Sequence, residues 1–450
     1  MAIKNRKYET IENQTFSDIV CESSLPLFYN NGNNVYRPDP LNVLSLFSGC
    51  GGMDLGFEGH FICHKKSVGK NTDWIDNKVN ENWVMLNKTR FNTIFANDIL
   101  KEAFFSWTNY MKRFGKTDEV YHFGSIVDLV KMYKDGKDVF PTKVDIVTGG
   151  FPCQDFSVAG KRRGFDSKIS HNGHQKEKDE PSEETRGKLY YWMKQVIEIV
   201  SPKIFVAENV KGLVSLGDVK DIIQKDFQAA GNNGYYVFTP QVLHAGNYGV
   251  PETRERVIFI GARLDALNET ARRVFEKGEI PSEYNPYPKA THDFNLGDES
   301  LPKPVTCEDV LSELLEPGDS KDLSQQHYSK AKYMGMHCQG QSEINYTSLG
   351  PTIRSEHHGN IEYRRLSKEH GGKRFEELKC GKEERRLTPR ECALIQTFPP
   401  DYPFVQYNGF SKKFQVSSSG AYKVIGNAVP PMLAYNIAKR LEEIWPLYFE

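Results

Sequence analysis

One rhythm limits the fold more than any other feature of the sequence: short apolar runs, each closed by a polar residue or a glycine, with stretches long enough for a helix between them. The first run is Asn42-Val43-Leu44-Ser45-Leu46-Phe47, and glycines follow it at once. Thr93–Ala96, Lys143–Thr148, Ile204–Ala207 and Val257–Ile260 repeat the theme. Runs this short and this apolar read as buried strands. The clearest helical stretch, Lys188–Val200, stops at Ser201-Pro202, as a helix should. Strands alternating with helices predict an α/β sheet with parallel crossovers.

The rhythm fails after Ala262, and 450 residues exceed one ordinary core. A second, smaller domain is therefore expected late in the chain, where residues are rich in Glu, Lys, Asp, Pro and Gly. The boundaries are set at 1–40 for an N-terminal extension, 41–265 for the first domain, 266–415 for the second, and 416–450 for a return to the first. The run Lys423–Val429 and the helix-like Met432–Ile444 mark that return. Two polar insertions, His60–Arg90 and Asp166–Thr185, read as solvated loops.

Composition narrows the class. Hydrophobic residues at 38% and charged residues at 26% describe a globular chain. The N-terminus carries no apolar signal region, and no apolar run approaches membrane-spanning length, so neither secretion nor insertion is expected. Eight cysteines lie scattered without a C-x-x-C spacing. That pattern predicts no metal site, free thiols and a cytoplasmic location. A net charge of −1 argues mildly against a nucleic-acid partner, yet residues 361–390 hold ten Lys or Arg against six Glu.

Three loops carry the chemistry. Phe47-Ser48-Gly49-Cys50-Gly51-Gly52 follows a strand, where glycines let backbone approach a ligand closely. It is not GxGxxG, so an adenosine cofactor without a pyrophosphate fits better. Asp98, at the tip of the second strand, is placed to accept from ribose hydroxyls, or else to cap a turn. The third loop is Gly149-Gly150-Phe151-Pro152-Cys153-Gln154-Asp155-Phe156-Ser157. A lone cysteine is usually an inert core residue. One that follows proline in a glycine-flanked loop, at the end of a strand, is a candidate nucleophile.

With Glu208-Asn209-Val210, Pro251-Glu252-Thr253-Arg254-Glu255-Arg256, Arg386-Leu387-Thr388-Pro389-Arg390-Glu391-Cys392 and Gly426-Asn427-Ala428-Val429-Pro430 in this order, the chain resembles the bacterial cytosine-C5 DNA methyltransferases. The resemblance covers most of 41–265 and 386–440. It implies a Rossmann-like core that binds S-adenosyl-L-methionine, with a smaller target recognition domain at 266–415. It implies that Cys153 adds to cytosine C6, which turns C5 into an enamine-like carbon able to take the methyl group. Cysteine suits this role because part of it is thiolate near neutral pH. Glu208 would hydrogen-bond N3 and the amino group of the base, Arg256 would hold O2, and Arg254 would orient the site.

For the cofactor, the resemblance points to Phe47, Gly49, Gly51, Asp98, Ser125, Ile126, Pro152, Leu189, Ala428 and Val429. For double-stranded DNA it points to Gln154, Ser157 and Arg186 near the catalytic loop, and to Arg354, His357, Asn360 and Arg364 as readers of base edges. It further implies a monomer and a cognate restriction endonuclease acting on the same site. Ser125 stands where the family often has Asp, and Glu252 where Gln is common. The insertion at 166–185 falls in the family's mobile catalytic loop. The alternative is the RNA-directed branch, whose recognition region is usually shorter than the roughly 120 residues of 266–385 here. A catalytically dead DNA-binding regulator would be expected to lose Cys153, Glu208 or Arg256, and all three are present.

Overall fold

In the computed structural model, residues 39–152, 189–215, 218–355 and 361–450 are described. The apolar runs become the strands of one eight-stranded sheet: β1 (Leu41–Leu46), β2 (Phe91–Asp98), β3 (Tyr121–Phe123), β4 (Ile146–Gly150), β5 (Ile204–Val210), β6 (Tyr235–Val237), β7 (Gln241–His244) and β8 (Glu255–Arg263). Their order is β7-β8-β5-β4-β1-β2-β3, with β6 also pairing with β8. The strands from β5 through to β3 are parallel to their neighbours. β8 runs antiparallel to β5, as do β6 and β7 to β8.

The central strands are apolar throughout because both of their faces are buried. Val43, Ile146, Ile204, Val206, Ile258 and Ile260 join one hydrophobic cluster. Leu44, Leu46, Val147, Phe205, Ala207, Val257 and Phe259 point into the other. This is the period of two along a strand. The helices α1 (Gly52–Glu58) and α2 (Lys101–Met111) bury residues in the first cluster, and α3 (Ile126–Lys134), α4 (Leu189–Val200) and α5 (Val219–Gln228) in the second.

The last two helices return to the first face: α7 (Ser418–Asn427) and α8 (Pro431–Phe449), the latter packed on α1. Just before them comes α6 (Pro389–Ile395), which starts on a capping box of Thr388 and Glu391 with proline in its first turn. Leu267, Phe275, Val305, Leu311 and Ile353, all within 266–415, lie in that same first cluster.

The expectation of a solvated loop at His60–Arg90 is corrected. Ile62–His64, Ile75–Lys78 and Trp83–Leu86 form a small antiparallel sheet. Phe61, Ile62, Cys63, Trp83 and Leu86 are buried against α8 and its neighbours. Asparagines and lysines around these few apolar residues dilute the pattern in the sequence, but one buried face suffices for a sheet of three strands.

Candidate active site

The parallel strands diverge from β1, with β2 on one side and β4 on the other, which makes a topological switch point at their carboxyl ends. A cleft of about 920 Å³ opens there. Phe47 leaves β1 with a left-handed backbone, φ 52°, and Gly49 and Gly51 continue the turn at φ 55° and 81°. Holding Phe47 there costs local strain, which persists only where the surroundings fix it. They do: Ser48 N–H donates to Asn97 O at 2.8 Å, and Gly49 N–H to Asp98 Oδ2 at 2.9 Å. Gly52 leaves no room for a side chain, since a Cβ would stand 2.1 Å from Val429 O.

Asp98 holds two loops at once, accepting also from Leu100 N–H at 2.9 Å through Oδ1. Burial pushes its carboxyl up, against those backbone donors and Lys423. Of the roughly four acceptor sites on a carboxylate, the Gly49, Ile99 and Leu100 donors leave one for a ligand. Ser125 caps α3, accepting from Val127 N–H at 3.2 Å.

The other end of the cleft is built on β4, β5 and β8. Glu208 and Arg256 lie on adjacent antiparallel strands, and Glu208 Oε1 sits 2.6 Å from Arg256 Nε. Both are buried, at 6% and 8% exposure, yet both line the cleft. Burial raises the Glu208 carboxyl above the usual range, against the pull of Arg256 and Arg254. Gly150 makes room for this acid: a Cβ there would meet Glu208 Oε2 at 2.7 Å. Asn209 Nδ2 donates to Phe151 O at 3.0 Å, tying the glycine–proline loop to β5.

The cleft thus gathers Phe47, Gly49, Asp98, Ser125, Ile126, Pro152, Leu189, Ala428, Val429, Glu208, Arg256 and Arg354. Gly51, expected at the cofactor, is not part of the cleft wall; a Cβ there would meet the Trp107 ring at 2.7 Å. Cys153, Gln154, Ser157, Arg186, His357 and Asn360 lie outside the described residues, as does the 166–185 insertion.

Two arginines stand apart from the cleft. Arg254 is fully buried behind it, with its guanidinium on backbone carbonyls. Arg364, expected to read a base edge, is 5% exposed, with Nε 3.4 Å from Glu391 and its guanidinium over the Tyr346 ring at 4.2 Å. That expectation is corrected. The region around Arg364 has few apolar residues, and it packs through buried ion pairs instead. Arg365 bonds Glu377 at 2.6 Å and Glu316 at 2.9 Å, and Arg385 bonds Glu391 through two nitrogens at 2.8 Å.

Sequence reasoning did not anticipate Gln339, Thr352 and Lys423 on the cleft wall. Gln339 and Thr352 come from irregular segments, where no periodicity shows which way a side chain faces. Lys423 faces the cleft from α7, and its position in the C-terminal return carries no local signal of that.

A family model for C-5 cytosine-specific DNA methylases matches residues 41–443. The chain belongs to that family. The methylase transfers a methyl group to carbon 5 of cytosine in DNA, and this chemistry implies S-adenosylmethionine as donor. It is 32% identical to the type II methyltransferase M.BsuRI of Bacillus subtilis over 419 residues, 90% of this chain and 79% of that one. It is 32% identical to the type II methyltransferase M.BspRI of Lysinibacillus sphaericus, over 92% of this chain and 84% of that one. The RNA-directed alternative gives way to this DNA family. A mutant DNMT2 of Spodoptera frugiperda superposes with a TM-score of 0.52 at 18% identity, covering 89% of this chain and 99% of that one, so the methylase shares its fold. No helix among the described residues is long and apolar enough to cross a membrane.

Proposed function

We propose that the methylase acts on a cytosine swung out of a specific short site in duplex DNA, and that Glu208 and Arg256 grip the base while Cys153 attacks it. The observation that carries this reading is the buried Glu208–Arg256 pair, 2.6 Å apart, at the end of a cleft whose other end is the glycine turn. An acid and a guanidinium side by side match the Watson–Crick edge of cytosine. Burial raises the Glu208 carboxyl, which favours sharing a proton with N3 once the base is in place, and Arg256 donates to O2. Extrusion of the base costs a few kcal/mol, recovered from these contacts.

The residues at the glycine end fit the donor. Phe47, Ile126, Leu189 and Val429 supply apolar walls for an adenine, Asp98 an acceptor for ribose hydroxyls, and Ser48 and Gly49 backbone for the amino-acid part. S-adenosylmethionine, when bound, supplies a methyl group on a cationic sulfonium. Cys153 follows Pro152 of the cleft wall, and its role rests on the sequence resemblance. As its thiolate adds to C6, negative charge develops on the ring, and Glu208 neutralises it through N3. Methylation at C5 is followed by loss of the C5 proton and expulsion of the thiolate, which returns Cys153 unchanged.

Arg354 lines the cleft from the 266–415 region, which supports a DNA-facing role for it. The two type II relatives support a place in restriction–modification; a monomer beside a cognate endonuclease is part of this proposal. Glu208→Gln tests the base grip. Methyl transfer should fall by about 10²–10⁴, while affinity for S-adenosylhomocysteine holds. An equal loss of that affinity would make Glu208 structural.

A further inference from the structure

Three segments far apart in sequence meet behind the base pocket, and one guanidinium joins them. Arg254 precedes Arg256 by two residues and has no exposed surface. Its Nη1 donates to Ile353 O at 3.0 Å, and its Nη2 to Gly426 O at 2.8 Å and Ala428 O at 2.7 Å. The first acceptor belongs to the segment that carries Arg354. The other two belong to the turn that walls the cofactor end of the cleft.

Neighbouring residues repeat the connection. Thr253 N–H donates to Gly350 O at 2.8 Å, Gly350 N–H to Pro251 O at 2.9 Å, and Ile353 N–H to Glu252 Oε1 at 2.7 Å. Thr352 Oγ1 donates to Thr253 O. On the far side, a Cβ on Gly426 would stand 2.5 Å from both Arg354 C and Ser355 N. Residues 350–355 are therefore clasped between 251–254 and the turn at 426–428. A shift of this segment against DNA cannot leave either neighbour in place. A fully buried guanidinium, with Glu252 Oε1 3.6 Å from its Nη1, also penalises partial breakage, because a lost carbonyl leaves an N–H without an acceptor out of reach of water.

We propose that Arg254 is a positioning residue that links cofactor binding to DNA binding. Filling the cofactor end fixes the 426–428 turn, and seating the recognition segment on DNA fixes 350–355. Both events favour the same arrangement of the Arg254 joint, so each tightens the other, and the coupling is reciprocal. The joint also sets Arg256, two residues on, so both ligands bias the base pocket. This inference rests on the reading of 350–355 as the DNA-facing segment.

The test uses the full chain and S-adenosylhomocysteine as the probe. Bisulfite sequencing of a plasmid exposed to the wild type identifies the methylated site, and a labelled duplex carrying it is titrated by anisotropy with and without the probe. The wild type should bind the duplex at least about fivefold more tightly with the probe present. Arg254→Lys keeps the charge, but one ammonium cannot span acceptors on two segments as the planar fork does, so its ratio should fall close to one. Thr352→Val removes one bond on the recognition side and should give an intermediate ratio. If Arg254→Lys fails to fold by its thermal melt, Thr352→Val decides alone, a reduced ratio supporting the linkage. An unchanged ratio in the folded variants, or a wild-type ratio of one, overturns the linkage and leaves the methylase assignment standing. A wild type that leaves the plasmid unmethylated overturns the reading on which the linkage rests.

Discussion

A single methyl group added at Gly150 separates the placement of Glu208 from the stability of the fold. Gly150 closes β4 and is not among the residues with positive φ, so alanine meets no backbone penalty there. Its Cβ would lie 2.7 Å from Glu208 Oε2, whereas ordinary contact begins near 3.4 Å. The carboxylate must therefore retreat by about 0.7 Å, the difference of those two distances. It is the far end of a side chain and not backbone, so it can retreat without shifting β5. It does disturb the 2.6 Å contact to Arg256 and the position from which N3 is met. Misplacement by about 1 Å costs about a hundredfold in rate, so Gly150→Ala should lose about ten- to a hundredfold in single-turnover methyl transfer. This corresponds to about 1.4–2.7 kcal/mol of barrier. Transfer of labelled methyl groups to a cognate duplex measures the rate, calorimetry the affinity for S-adenosylhomocysteine, and a thermal melt the fold. An unchanged rate would show that Glu208 does not act from its present position. A large fall in melting temperature would refute the claim that only the side chain retreats.

Asp98→Ala removes the acceptor for its backbone donors and for the ribose, so affinity for S-adenosylhomocysteine should fall tenfold or more, at about 1.5–3 kcal/mol for a hydrogen bond to a charged group; unaltered calorimetry would exclude Asp98 from the cofactor site. Arg364→Ala should cost about 1–3 kcal/mol in denaturant unfolding, because it empties a buried place over Tyr346 while Arg385 and Arg365 still pair Glu391 and Glu377, and the methylated sequence should stay the same; a new target sequence without lost stability would make it a base reader after all. On the proposal that Glu208 meets N3 in its acid form, the burial that raises its carboxyl extends activity upward in pH. The rate should therefore persist above the usual glutamate range and fall as pH climbs through the raised value. Glu208→Gln should abolish that alkaline limb, and a variant that keeps it would assign the limb to another group.

The parts of the site legible in the sequence are those where a short string sits at the end of a strand. The turn at Phe47–Gly52, the acids Asp98 and Glu208, and Arg256 all follow or begin apolar runs, and strand ends are where an α/β sheet places its ligands. Charge was a poorer guide. Arg354 and Arg364 look alike in the sequence, yet Arg354 lines the cleft while Arg364 is buried over Tyr346. Nothing local separates them, because the partners Glu377 and Glu391 come from elsewhere in the chain. Arg254 is likewise defined by carbonyls about 100 and 170 residues away. The sheet at 62–86 escaped notice for a different reason: its burial depends on α8, which the chain makes last.

The central claim is that Cys153 bonds to the flipped cytosine while Glu208 and Arg256 hold it. A duplex with 5-fluorocytosine at the target tests this most directly, since fluorine cannot leave as the C5 proton does. In the presence of S-adenosylmethionine, the wild type should be trapped as a complex that survives denaturant, and peptide mapping should place the bond on Cys153. Cys153→Ser should give no such complex. Trapping by the serine variant, or a bond to any other cysteine, would contradict the account.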